Sequence, residues 1–228
     1  MTTVRESRAA LRGPPFTPLP AAPARRAGIV WWVAVVFASV IALYAMAYVV
    51  VGPPMYPPNL RESFLARPWG IYPHAFFGTF ALLLGAWQLH PRSLRHRTRH
   101  RRVGTCYVLS CAMVGIAGLY MSRYAFGGWP TGLGFGTLAV LLLVTTTQAY
   151  MLARQRRIAE HRRWILRSYA LIFAAVTLRV ELPLLITAFG DFSPAYLTVA
   201  WLSWIPNLLA MELYVRRSRP ILPSVIPA

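Results

Sequence analysis

Six apolar stretches, 29–51, 71–90, 103–125, 133–153, 164–188 and 195–215, each approach the length that crosses a bilayer, and they fix most of what this chain can fold into. A hydrocarbon layer about 30 Å thick takes roughly 20 helical residues. Within it no water is available to backbone N–H and C=O groups, so a spanning segment must satisfy its own hydrogen bonds as a helix. The expected fold is all-α: a polytopic membrane protein with six transmembrane helices over 29–215, a Pro/Ala/Arg-rich tail over 1–28 and a short tail over 216–228. The first tail holds too little large apolar surface to bury a core and is expected to be disordered. The first apolar stretch exceeds a signal-peptide core and is not followed by a small-residue cleavage site, so it reads as a retained anchor.

Charge sets the expected orientation. The chain carries 24 Lys+Arg against 6 Asp+Glu, and every one of those basic residues is arginine. They crowd into 1–28, 91–102, 154–163 and the C-terminal tail, whereas 126–132 and 189–194 have none and 52–70 has only Arg61 and Arg67. Positive charge in short loops stays on the cytoplasmic side. Both termini are therefore expected in the cytoplasm. Tryptophans, which favour the headgroup level, agree: Trp31, Trp32, Trp87 and Trp164 fall at inner ends and Trp69 and Trp129 at outer ends. Because the arginines flank spans and do not line one folded face, the expected partner is the lipid bilayer and not a nucleic acid. No sequence signal selects a protein partner or a homo-oligomer.

Spans two to three and four to five carry a weak duplication. Gly78-Thr79-Phe80-Ala81-Leu82, then Gln88 and His100-Arg101-Arg102, pairs with Gly136-Thr137-Leu138-Ala139-Val140, then Gln148 and His161-Arg162-Arg163. Two units separated by an even number of spans run in the same direction, giving a pseudo-twofold axis along the membrane normal and a four-helix core of spans two to five. Small residues share one face in each span: His74, Gly78, Ala81, Gly85 and Gln88 in the second, and Gly104, Val108, Cys111, Gly115, Gly118 and Ser122 in the third. Such seams let helix backbones approach closely, or else leave room for a flat cofactor. Cys106 and Cys111, five apart on a helix, point in different directions and read as packing residues with no metal or redox role. Pro206 is expected to kink the sixth span.

The residues also resemble a known family. His74 with the seam to Gln88, the run His100-Arg101-Arg102-Val103-Gly104 with Tyr107, the block His161-Arg162-Arg163-Trp164 with Arg167 through Arg179 to Pro183, and Trp201, Trp204, Asn207 and Glu212 look like the DUF2306 family of bacterial membrane proteins. The resemblance covers roughly 65–215, its most specific part being HRRWILRSYALIFAAVTLR. It implies a membrane protein and brings no established activity with it.

Two polar constellations carry chemistry. His100 and His161 are repeat-related, begin helices on the same side and are flanked by arginine, a geometry in which two imidazoles from facing helices could ligate one haem b. The architecture is loosely similar to cytochrome b561 proteins. The alternative is interfacial, with arginines on lipid phosphate and the histidines spanning the polar boundary. On the outer side, His74, Arg123, Arg179 and Glu181, with Asn207 from the sixth span, form a candidate polar intramembrane pocket. Ionisable groups at that depth are costly and mark functional sites. Glu181 is expected to pair with Arg123 or Arg179, and an ion-pair network that fixes helix register stands beside a ligand or proton site. The functional readings are thus haem-dependent electron transfer, a small-solute, lipid or proton-handling protein built on the outer pocket, or a structural partner of a membrane complex. No nucleotide loop, zinc helix or nucleophile elbow is present.

Overall fold

The computed structural model describes residues 28–217. The tails expected at 1–28 and 216–228 therefore lie almost wholly outside the described residues. Within them the fold is helical: α1 (Ile29–Val50), α2 (Arg61–Leu65), α3 (Pro68–Leu89), α4 (Arg97–Ser122), α5 (Trp129–Arg154), α6 (Ile158–Ile172), α7 (Ala174–Phe189), α8 (Phe192–Leu202) and α9 (Ile205–Arg217). Helices α6 and α7 form one rod with a tightened turn at Phe173, whose carbonyl accepts from both Val176 and Thr177. Four segments are long and apolar enough to cross a membrane: Trp31–Val50, Arg97–Ser122, Trp129–Arg154 and Ile158–Phe189. Helix α3 has the length, at 22 residues, but carries Pro73, His74 and Gln88. The expected sixth span is interrupted at Ser203 and Trp204, and the chain resumes helix at Ile205, next to Pro206. The break lies just before the proline because its ring leaves no room for the carbonyl four residues back and it has no N–H to give.

The core is a closed ring of four rods. Helix α3 packs on α4, α4 on α5, α5 on α6, and α6 returns to α3. Helix α1 covers α3, and α8 and α9 flank α5 and α6. The turns at 91–96 and 154–157 lie at one, arginine-rich end; the segments 51–67 and 123–128 lie at the other, arginine-poor end. Large apolar residues such as Val36, Leu43, Ile116, Val144, Leu184 and Leu209 face outward, as a lipid-facing surface requires. Inward, Ala38, Ala42, Ala81, Leu82, Tyr107, Cys111, Leu142 and Leu171 form the main core. Cys111 is buried, Cys106 is exposed and both are free thiols.

Polar side chains bind the rods to one another. Thr79 Oγ1 donates to the Ala42 carbonyl at 3.0 Å, joining α3 to α1. Ser168 Oγ on α6 lies 2.8 Å from the Tyr107 hydroxyl on α4 and 2.6 Å from Thr146 Oγ1 on α5, so one small hydroxyl joins three helices. Arg167 places Nε and a terminal nitrogen on Glu212 Oε2 at 2.8 and 2.6 Å, clamping α6 to α9, while Arg216 takes the other carboxylate oxygen at 2.8 Å.

A pseudo-twofold relation of the two core units fits the helix ends, with a register other than the sequence duplication suggests. Helices α3 and α5 start 61 residues apart, and so do α4 and α6. Gln88, buried, donates to the carbonyl of His100 twelve residues on, at 2.7 Å. Ala149, twelve residues before His161, offers its carbonyl to that imidazole at 2.8 Å. Ala149 thus takes the place opposite Gln88, and Gln148, which the sequence pairing aligns with it, is exposed. The glutamine match is incidental.

Candidate ligand cavity at the arginine-poor end

The small-residue seam divides into two halves with different neighbours. Toward the arginine-rich end it is filled. A methyl group on Gly85 would strike the Tyr169 and Tyr107 rings, one on Gly115 would meet Leu143 at 2.6 Å, and one on Gly104 would come within 3.0 Å of Gln88 Nε2. These glycines admit large side chains from facing helices. Toward the arginine-poor end the seam is open: a methyl on Gly78 would have nothing nearer than Val114 at 3.9 Å, and one on Gly118 would lie 3.5 Å from Ala139 and 3.7 Å from His74 Cε1. That open half is the floor of a cavity of about 610 Å³.

Helices α1, α3, α4, α5, α6, α7 and α8 all contribute walls to it, together with the 57–64 and 124–126 segments. Most of the wall is apolar, from Ile41, Ala75, Leu82, Val114, Leu138 and Leu178 among others. Polar groups break it at His74, Arg179, Tyr44, Tyr48, Tyr124 and Tyr196, with the hydroxyls of Ser63, Ser122 and Ser203. A mostly apolar concavity of this size with a few convergent polar groups is the usual form of a small-molecule site.

Each polar group has a local reason for its place. His74 stands one turn above Gly78 on the seam face of α3, opposite Gly118, whose missing side chain leaves the imidazole room. The His74 side chain stays exposed although it lies within the bundle, because its free surface borders the cavity. Arg179, half-buried on α7, donates to the Ala175 carbonyl one turn back at 2.9 Å and lies 5.6 Å from the centre of the Tyr44 ring. It lines the same cavity as His74, Tyr48 and Tyr196. Tyr48 donates to the Tyr44 hydroxyl at 3.2 Å and stacks edge-on with Tyr56, and Tyr56 with Phe64, forming an aromatic cluster that meets the cavity at Tyr48 and Phe64. Burial and the hydroxyl of Tyr72 push the Tyr56 phenol up to about 12, so it stays neutral across physiological pH.

Of the outer residues singled out in the sequence, the structure brings together two, His74 and Arg179. Arg123 caps the C-terminus of α4, is exposed and does not line the cavity. Asn207 donates to Thr177 Oγ1 at 2.7 Å and to the Ser203 carbonyl at 3.0 Å, which ties α9 to α7 away from the cavity. Glu181 forms no ion pair among the described residues, and its buried Oε2 has no hydrogen-bond partner. The expected pairing of Glu181 with Arg123 or Arg179 is absent, since Arg179 turns to the cavity while Glu181, two residues on, lies about 200° round the helix. Tyr44, Tyr48 and Tyr56 escaped the sequence reading; their spacing, Tyr44 and Tyr48 four apart facing Tyr56, was the available signal.

His100 and His161 stand at the starts of α4 and α6, at the arginine-rich end, close enough to influence one another electrostatically. His100 Nδ1 lies 3.3 Å from Ser93 Oγ, and His161 Nδ1 is taken by the Ala149 carbonyl, so each ring is held through Nδ1. Axial ligation would use the remaining Nε2 atoms. Along the seam below them, Gln88 covers Gly104 and the rings of Tyr107 and Tyr169 fill the space at Gly85, so no room for a flat group is left at those two glycines. Among the described residues no three His, Cys, Asp or Glu side chains converge as a metal site.

No curated protein and no solved structure matches the chain. The family model described as a predicted membrane protein, DUF2306, matches residues 71–215, a span that takes in the four-helix ring, His74, Arg179 and both inner histidines. More than half of the sequence lies within that match, and the chain belongs to the DUF2306 family of membrane proteins.

Proposed function

We propose that this chain is an inner-membrane protein, crossing the bilayer six times with both termini in the cytoplasm, whose outer cavity holds a small membrane-soluble ligand. The observation that carries the reading is the cavity itself: about 610 Å³ of mostly apolar space bordered by His74 and the guanidinium of Arg179. A bundle built only for packing closes such space, as this one does at Gly85 and Gly115, because a void forfeits the dispersion contacts of its walls. Keeping it open on the same seam, and placing a costly cation on it, supports a binding role. The arginine asymmetry supports the orientation, putting the cavity in the outer half of the membrane.

Native mass spectrometry of the protein released from its own membranes tests the proposal. A co-purified non-protein mass, present in the wild type and absent from Gly118→Phe, is expected, since the phenyl ring would fill the space between His74 and Ala139. A bare polypeptide mass for the wild type under conditions that keep annular lipid attached would contradict it.

A further inference from the structure

The chemistry of the cavity identifies the class of ligand. We infer that it takes a single-chain amphiphile with an oxyanion head, the head on Arg179 and the chain along the apolar wall toward α3 and α4. This rests on the reading of the cavity as a ligand site.

Arg179 presents a planar guanidinium fork of donors with no acceptor of its own. Its five N–H donors have one hydrogen-bond acceptor among the described residues, the Ala175 carbonyl, and no carboxylate lines the cavity. The nearest acid in sequence, Glu181, is not one of its partners, and Glu212 is already shared by Arg167 and Arg216. A desolvated cation without a counter-ion is unfavourable, and a carboxylate or phosphate oxygen presented in the fork of the guanidinium is the group that best relieves it. The Tyr44 hydroxyl, which accepts from Tyr48, keeps its own O–H to give beside the guanidinium.

The rest of the wall chooses the body of the ligand. Beyond this polar corner the cavity runs past Gly78, Val114, Leu138 and Leu142, all without a hydrogen-bonding side chain. A fully polar anion would lose its hydration there and gain nothing in return, whereas an alkyl chain gains from every apolar contact. Helices α1 and α7 meet only along a short seam and expose apolar residues to either side, so an amphiphile dissolved in the outer leaflet has a lateral route to Arg179.

The experiment uses the full chain in lipid nanodiscs and measures binding of dodecanoate, dodecyl phosphate and dodecanol by quenching of intrinsic tryptophan or by calorimetry. The anions are expected to bind the wild type saturably and about tenfold or more tighter than the alcohol, with Arg179→Gln removing that preference and Arg179→Lys retaining part of it. Stronger binding of dodecanoate assigns the head as carboxylate, and stronger binding of dodecyl phosphate assigns it as phosphate. Equal binding of alcohol and anions, unchanged in Arg179→Gln, overturns the inference and leaves the cavity reading intact. Failure of all three to bind, together with a bare native mass, overturns both. Arg179→Lys guards against loss of fold in Arg179→Gln, and the alcohol serves as the fold control in each variant.

Discussion

The hydroxyl of Tyr107 and Oγ of Ser168 lie 2.8 Å apart, and the two residues are separated by 61 positions, the same interval that separates the starts of the paired core helices. Residues related by a twofold axis touch only where they lie on it, so this contact marks the axis of the core. Ser168 also holds Thr146 at 2.6 Å, and its loss strands two buried hydroxyls, whereas Tyr107→Phe leaves Ser168 bonded to Thr146. Ser168→Ala is expected to lower stability by about 1–2 kcal/mol and Tyr107→Phe by about 0.6 kcal/mol, read from thermal unfolding in detergent. A larger loss in Tyr107→Phe than in Ser168→Ala would contradict this order.

The divided seam gives a second expectation. Gly85→Ala forces the Tyr107 and Tyr169 rings aside and should cost about 1–3 kcal/mol, as overpacking of a filled core does. Gly78→Ala adds a methyl that meets nothing closer than 3.9 Å and should leave the folded fraction unchanged. Size-exclusion profiles and melting temperatures of the two variants decide it, and equal damage from both would mean that the seam is packed along its whole length.

Glu181 is separate from Arg179 in this structure, so their substitutions should act independently. In a double-mutant cycle of Glu181→Gln with Arg179→Gln, the double variant should match the sum of the singles within about 0.5 kcal/mol. Strong coupling would show that the two charges meet in the membrane after all.

Helical class, core composition and the choice of His74 and Arg179 were legible in the sequence because each follows from local rules. Apolar length predicts a helix, small residues at helical spacing predict a seam, and an ionisable residue inside an apolar run predicts a polar site. What was not legible depended on which helix stands opposite. The seam reads the same at Gly78 as at Gly85, yet only the latter has tyrosines from α4 and α6 facing it. Glu181 lies two residues from Arg179 in sequence, but helical rotation sends the two to different neighbours. The sixth apolar run reads as one span, whereas Pro206 splits it into α8 and α9 at Ser203 and Trp204.

The proposed orientation makes a direct statement about sidedness. Reporter fusions after Gly127 and Gly190 should report the periplasm, and fusions after Arg95 and Gln155 the cytoplasm. Two reversed sites would rule out the six-span arrangement, and reversal of all four would keep the spans and move the cavity to the inner leaflet.

The most direct test of the cavity as a binding site is covalent capture in the native membrane. A diazirine-bearing alkyl carboxylate, photolysed in membranes containing the wild-type protein and mapped by peptide mass spectrometry, should label residues that border the cavity, near His74 on α3, Gly118 on α4 and Arg179 on α7. Excess unlabelled dodecanoate should suppress that labelling. Labelling confined to the outward faces at Val36, Leu43 or Leu184, and insensitive to competition, would show that the probe meets the protein only as solvent lipid and would contradict the account.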